Sequence, residues 1–75
     1  MTAADVVIER DDNCIVGEGI HRRFTVVYRA RLNTSQGELT GVSQLDSDIP
    51  VSRHMDEHVR RVLCNVMLAK AAEPR

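Results

Sequence analysis

Arg22-Arg23-Phe24-Thr25-Val26-Val27-Tyr28-Arg29-Ala30-Arg31-Leu32-Asn33 is the stretch that decides the fold. Phe24, Val26, Tyr28, Ala30 and Leu32 recur at every second position, and Thr25, Val27, Arg29 and Arg31 fill the positions between. A period of two belongs to a β-strand with one covered and one open face. Asn33-Thr34-Ser35-Gln36-Gly37 is a turn by composition, with Gly37 suited to a positive φ. The chain therefore reverses, and Leu39 to Leu45 pairs back as the next strand. Gly41 inside that segment predicts a bulge.

Working outward, Val6-Val7-Ile8 is β-branched throughout, Arg10-Asp11-Asp12-Asn13 has the make-up of a turn, and Cys14-Ile15-Val16 is apolar again. This predicts an N-terminal hairpin whose second arm ends at Gly17-Glu18-Gly19. On the other side, Asp46-Ser47-Asp48-Ile49-Pro50 breaks the strand pattern. Ser52 is placed to cap a helix, and Asp56 and Glu57 fall in its first turns, where the helix dipole favours acids. Met55, Val59, Val62, Leu63, Val66 and Met67 form the predicted core stripe of a helix running to about Ala71, with residues 72–75 a frayed tail. The expected architecture is one α+β domain over residues 1–75: an antiparallel meander of about four strands with one C-terminal helix packed on one face. A single helix covers a single side, so the face bearing Thr25, Val27, Arg29 and Arg31 is expected to stay open.

Composition narrows the function classes. A 75-residue chain buries roughly 60% of the surface its unfolded form exposes, which makes a lone domain marginally stable. Aromatic residues make up 3% of the chain, Phe24 and Tyr28 only, so the core must come from Val, Ile, Leu and Met. The net charge of −1 argues against duplex nucleic acid as the main partner. Charge is segregated along the chain: residues 1–20 sum to −4 and residues 21–35 to +4, which suggests two electrostatically different surfaces. No apolar run is long enough for a membrane span, and the first residues lack a secretory pattern, so a cytoplasmic protein with no membrane association is expected. Cys14 and Cys64 read as free thiols.

Motifs for chemistry are weak. His54-Met55-Asp56-Glu57-His58 matches the H-x-x-E-H string of inverted zinc peptidases, but a third protein ligand and a substrate cleft are not in evidence downstream. A solvated first turn is the simpler account, and no metal or cofactor is expected. Gly17-Glu18-Gly19 lacks the third glycine, the following helix and the lysine of a phosphate loop. Neither cysteine has a recognisable His and Asp or Asn pattern for nucleophilic catalysis. No catalytic residue is assigned and the protein reads as a non-enzyme.

The arginines carry more. Arg22 and Arg23, Arg29 and Arg31 on the open strand face, and Arg60 and Arg61 on the helix could track phosphates or meet a partner's carboxylates, although a solubilising surface is the simplest role. No aromatic side chain interleaves with these arginines on the strand face they share, which lowers the single-stranded nucleic-acid reading. On a helical wheel Cys64 and Leu68 point roughly away from the Met55/Val59/Val62/Val66 stripe, forming a second apolar seam.

Arg29-Ala30-Arg31-Leu32, five residues, then Glu38-Leu39-Thr40-Gly41-Val42 resembles the central hairpin of a family of small actinobacterial proteins with a double-stranded-RNA-binding-like fold, themselves compared with ribosome hibernation factors. Asp56-Glu57 before the apolar run Val59 to Met67 is similar to the acidic start of that family's C-terminal helix. The similarity covers about half the chain; the N-terminal segment is longer here and the helix stripe is out of step by a residue. The resemblance implies dimerisation and ribosome association.

Two functional expectations follow. The first is a small regulatory or inhibitory protein of bacterial or phage type that binds a protein partner, with Arg22, Arg23, Val27, Arg29, Arg31, Arg60, Arg61, Cys64 and Leu68 as contact residues. The alternative is a ribosome- or RNA-associated stress protein. A thin core further predicts a homodimer, through the Cys64/Leu68 seam or the sheet face around Val27.

Overall fold

The computed structural model describes residues 2–16 and 22–72. After a 3-10 turn at Ala3–Asp5 come β1 (Val7–Val16), β2 (Arg22–Thr34), β3 (Gly37–Ser47) and a single long helix, α1 (Arg53–Ala72). The strands form an antiparallel sheet in the order β1-β2-β3.

The sheet has three strands where about four were expected, because the predicted N-terminal hairpin is one continuous strand. Arg10-Asp11-Asp12-Asn13 is a turn composition by local preference, but here it stays extended and pairs with Tyr28, Val27, Val26 and Thr25. Its charges find partners within the fold: Asp11 receives Arg29 of β2, and Arg10 reaches Asp56 of the helix and Asp12 of its own strand. The unbroken pairing along β2 overrides local turn preference. Gly17-Glu18-Gly19 and residues 73–75 of the expected tail lie outside the described residues, while Ala72 closes the helix.

The central strand follows the alternation in its sequence. Val26, Tyr28, Ala30 and Leu32 are buried, with Leu63 and Met67 of α1 above them. Val6, Ile8, Leu39, Val51, Val59, Leu68 and Ala71 pack around this core. A two-residue loop at Ser35-Gln36 joins β2 to β3, and Gly37 takes the positive φ of 123° that favours glycine. Gly41 makes no bulge, since the register runs unbroken from Phe24↔Ser47 to Thr34↔Gly37. Its lack of a side chain serves packing instead: a Cβ there would sit 2.8 Å from Met67 Sδ and 3.5 Å from Leu63 Cδ1. Gly41 beside Ala30 thus makes the hollow into which the helix settles.

Ser52 caps α1 as its sequence predicts, its Oγ accepting from the Met55 N–H at 3.2 Å. The helix is rotated from the predicted stripe, however. Leu63 and Met67 are buried, Met55 and Val59 half-buried, but Val62 and Val66 are 48% and 45% exposed, and Cys64 and Leu68 are half-buried instead. At about 100° per residue the covered face has turned by roughly a quarter turn towards Cys64 and Leu68. Polar bonds to Asp56 and Arg60, described below, pull that flank down, and Cys64 lies beside the Ala3–Asp5 turn, its Sγ 4.0 Å from the Ala3 carbonyl oxygen. Among the described residues no helix is long and apolar enough to cross a membrane.

Candidate binding face

Strand register decides which side chains share the uncovered face. Reading across β1, β2 and β3, its rows are Val7, Arg31 and Thr40; Glu9, Arg29 and Val42; Asp11, Val27 and Gln44; Asn13, Thr25 and Asp46. Arg23 extends the β2 column at one end, and Glu38 lies opposite Asn33 at the other. The expected open face of Thr25, Val27, Arg29 and Arg31 is therefore present, with acids and valines of the flanking strands beside it.

Each arginine reaches one place along its neighbour strand. Arg29 donates to Asp11, and Arg31 Nη2 donates to Glu9 Oε1 at 2.9 Å. Such diagonal cross-strand pairs lie within reach of long side chains. All four side chains remain between 53% and 61% exposed, so the pairs are screened by water and order the surface more than they stabilise it. On the same face Thr25 Oγ1 donates to Asp46 Oδ1 at 2.8 Å, with Gln44 Nε2 at 3.2 Å. These bonds, that from Thr25 foremost, hold the Asp46 carboxyl below its ordinary range.

The charge segregation seen in the sequence consequently does not make two surfaces. The acidic segment is β1, the basic one is β2, and they lie side by side. Arg23, Arg29 and Arg31 face Glu9, Asp11, Glu38 and Asp46, leaving this face balanced with a slight acidic excess. Val7 and Val42, 52% and 68% exposed, and half-buried Val27 supply its apolar content.

The remaining expected contact residues disperse. The side chain of Arg22 lies outside the described part, as does that of Cys14. Arg61 is exposed on α1. Arg60 points inward: its Nε donates to Asp56 Oδ2 at 2.9 Å, and its guanidinium carbon lies 5.7 Å from the Tyr28 ring centroid. Cys64 and Leu68 do not form an outward seam, because both are turned towards the body of the molecule. Cys64 is a free thiol.

A second polar cluster lies on the covered side. Asp56 Oδ1 accepts from Tyr28 Oη at 2.7 Å and from Arg10 Nη1 at 2.7 Å, while Arg60 holds its other oxygen. Burial pushes the Asp56 carboxyl up, but the hydrogen bonds from Tyr28, Arg60 and Arg10 outweigh it and leave the carboxyl below its ordinary range. Burial, and then the bond to Asp56, pushes the Tyr28 hydroxyl up. Every group in this cluster has its partner, so its role is to fix the helix on the sheet.

His54 and His58 line an open cavity of about 300 Å³ with Leu45, Met55 and Val59. The glutamate between them is engaged elsewhere, Glu57 Oε1 accepting from Arg53 Nε at 3.1 Å. Among the described residues no group of three or more His, Cys, Asp or Glu side chains is arranged to hold a metal ion. Sequence reasoning missed Glu9, Asp11, Val7 and Val42 as members of the open face. Their signal was the alternation Val7, Glu9, Asp11, Asn13, hidden by reading Arg10 to Asn13 as a turn. In comparisons with family models, curated proteins and solved structures, no match to this chain was found.

Proposed function

We propose that this chain is a small non-enzymatic regulatory or inhibitory protein of the cytoplasm that acts by protein–protein contact through the open face of its sheet. The observation that carries the proposal is the make-up of that face: exposed valines set among charges that already neutralise one another. Arginines meant for phosphates stand free of carboxylates, because each bound acid cancels the attraction that drives nucleic-acid binding. Here Arg29 and Arg31 are tied to Asp11 and Glu9, which favours a protein surface carrying its own mixed charges and an apolar centre. That pairing weighs against the ribosome- or RNA-associated alternative.

Affinity capture from a lysate of the source organism, with and without nuclease, tests the proposal. The expected result is a discrete protein partner retained after nuclease and lost with Arg29→Glu combined with Arg31→Glu, in a variant whose melting curve shows a folded domain. Capture abolished by nuclease, or unchanged in the folded double variant, overturns it.

A further inference from the structure

Two unpartnered features adjoin on one side of the molecule. Among the described residues β3 is an edge strand, paired with β2 on its inner side and with no strand on its outer side. An edge is a template for a further strand, and proteins that stay single guard it with charge, proline or a bulge. The other edge, β1, is guarded by four consecutive charged residues, Glu9-Arg10-Asp11-Asp12. β3 is not: from Leu39 to Leu45 it has no charge and no proline, and its register has no bulge. Above this edge runs the flank of α1 that carries exposed Val62 and Val66. They follow Met55, His58 and Val59 at spacings of three to eleven along the helix and so share the side on which Met55 and Val59 approach Leu45 of β3.

We infer that β3 and this flank of α1 form the interface of a two-fold homodimer, in which antiparallel pairing of β3 with its own copy joins two three-stranded sheets into one of six strands. This goes beyond the protein-contact reading and survives its failure, since a dimer that captures no partner leaves the interface unaltered.

The dimensions favour a second copy over a foreign strand. α1 packs on both β2 and β3. With strands about 4.8 Å apart, the two-fold axis lies half a spacing outside β3 and α1 about one spacing from the axis. The two helices then run about 9.6 Å apart, inside the range of about 8–10 Å for packed helices. A bare incoming strand would satisfy the edge but leave Val62 and Val66 in water, whereas a second copy covers both. The two-fold pairing also closes after one step, so it ends at a dimer rather than a fibre.

Charge disfavours one of the two central registers. Pairing centred on Val42 sets Glu38 opposite Asp46 of the second copy, and like charges directly opposite are destabilising. Centring on Gly41 sets Glu38 opposite Gln44 and Val42 opposite Thr40 of the second copy, with both helices on the same face of the joined sheet. The open faces then become one continuous surface.

Sedimentation equilibrium of the full chain at high micromolar concentration tests the interface. The expected mass is twice the chain's 8.4 kDa, falling to 8.4 kDa in Val62→Glu/Val66→Glu, whose exposed positions spare the fold as judged by circular dichroism. Val42→Pro, which removes an edge N–H, provides an independent second variant and should also be monomeric. A monomeric parent, a parent that grows beyond a dimer, or a folded helix variant that stays dimeric overturns the inference.

Discussion

The hydroxyl of Tyr28, in the middle of the central strand and wholly buried, donates a 2.7 Å hydrogen bond to Asp56 in the first turn of the helix. Arg10 of β1 meets the same carboxylate oxygen and Arg60 the other, so one acid ties the helix to two strands. This explains the helix rotation: the flank carrying Asp56 and Arg60 is drawn down, Cys64 and Leu68 follow it, and Val62 and Val66 are lifted out.

Truncating either partner leaves the other short of a bond in a half-buried site. Tyr28→Phe should cost about 1 kcal/mol and Asp56→Ala about 2–3 kcal/mol, because the second orphans several donors at once. Urea denaturation of the double variant should show a loss smaller than the sum of the single losses, the mark of a direct interaction. Additive losses would mean the bond contributes nothing.

Asp56 also sets a pH dependence. Its folded-state carboxyl titrates below the unfolded value of about 3.9, so the stability it confers is fully present above that pH and is lost as pH falls through the lower folded value. Melting temperature measured on acidification should fall less steeply in Asp56→Asn than in the parent. Tyr28 acts at the other end: its folded value is raised, so its contribution holds below about pH 10 and is lost as pH climbs through the higher folded value. As the chain's one tyrosine, its near-ultraviolet absorbance reads that titration directly, and the midpoint should drop on unfolding.

Gly41 is required by the helix above it, not by its own backbone. Gly41→Val should destabilise the protein by about 1–3 kcal/mol, since Met67 Sδ has nowhere to move in a filled core. Chemical denaturation checks this, and pairing the change with Met67→Ala should recover part of the loss by making room. No loss in Gly41→Val would place the helix higher above the sheet.

Leu68 distinguishes a structural from an interfacial role. Packed against the core, Leu68→Glu should lower stability by about 2 kcal/mol at every protein concentration. A concentration-dependent loss would instead locate Leu68 in a subunit contact.

How much of this was legible depends on range. The β2 alternation, the Gly37 turn and the Ser52 cap follow from local rules and appear where the sequence puts them. β1 was misread because Arg10 to Asn13 is a turn by composition and a strand only by virtue of Arg29, Asp56 and the rest of the sheet. The helix stripe differs from the sequence reading because hydropathy ranks Val62 and Val66 above Asp56 and Arg60, whereas an acceptor for the buried Tyr28 hydroxyl outranks both. The open face was half legible: its arginines could be placed from β2 alone, but the acids that neutralise them could not be placed without β1.

The central claim, that Arg29 and Arg31 belong to a self-neutralised protein-binding face, is most directly tested by titrating a labelled RNA oligonucleotide, single-stranded and then duplex, with the purified chain at low salt. Fluorescence polarisation should stay flat up to high micromolar protein for both. Saturable binding that weakens steeply with salt, with a logarithmic slope of about −0.7 to −0.9 per phosphate neutralised, would contradict the account and make the arginines a phosphate-binding surface.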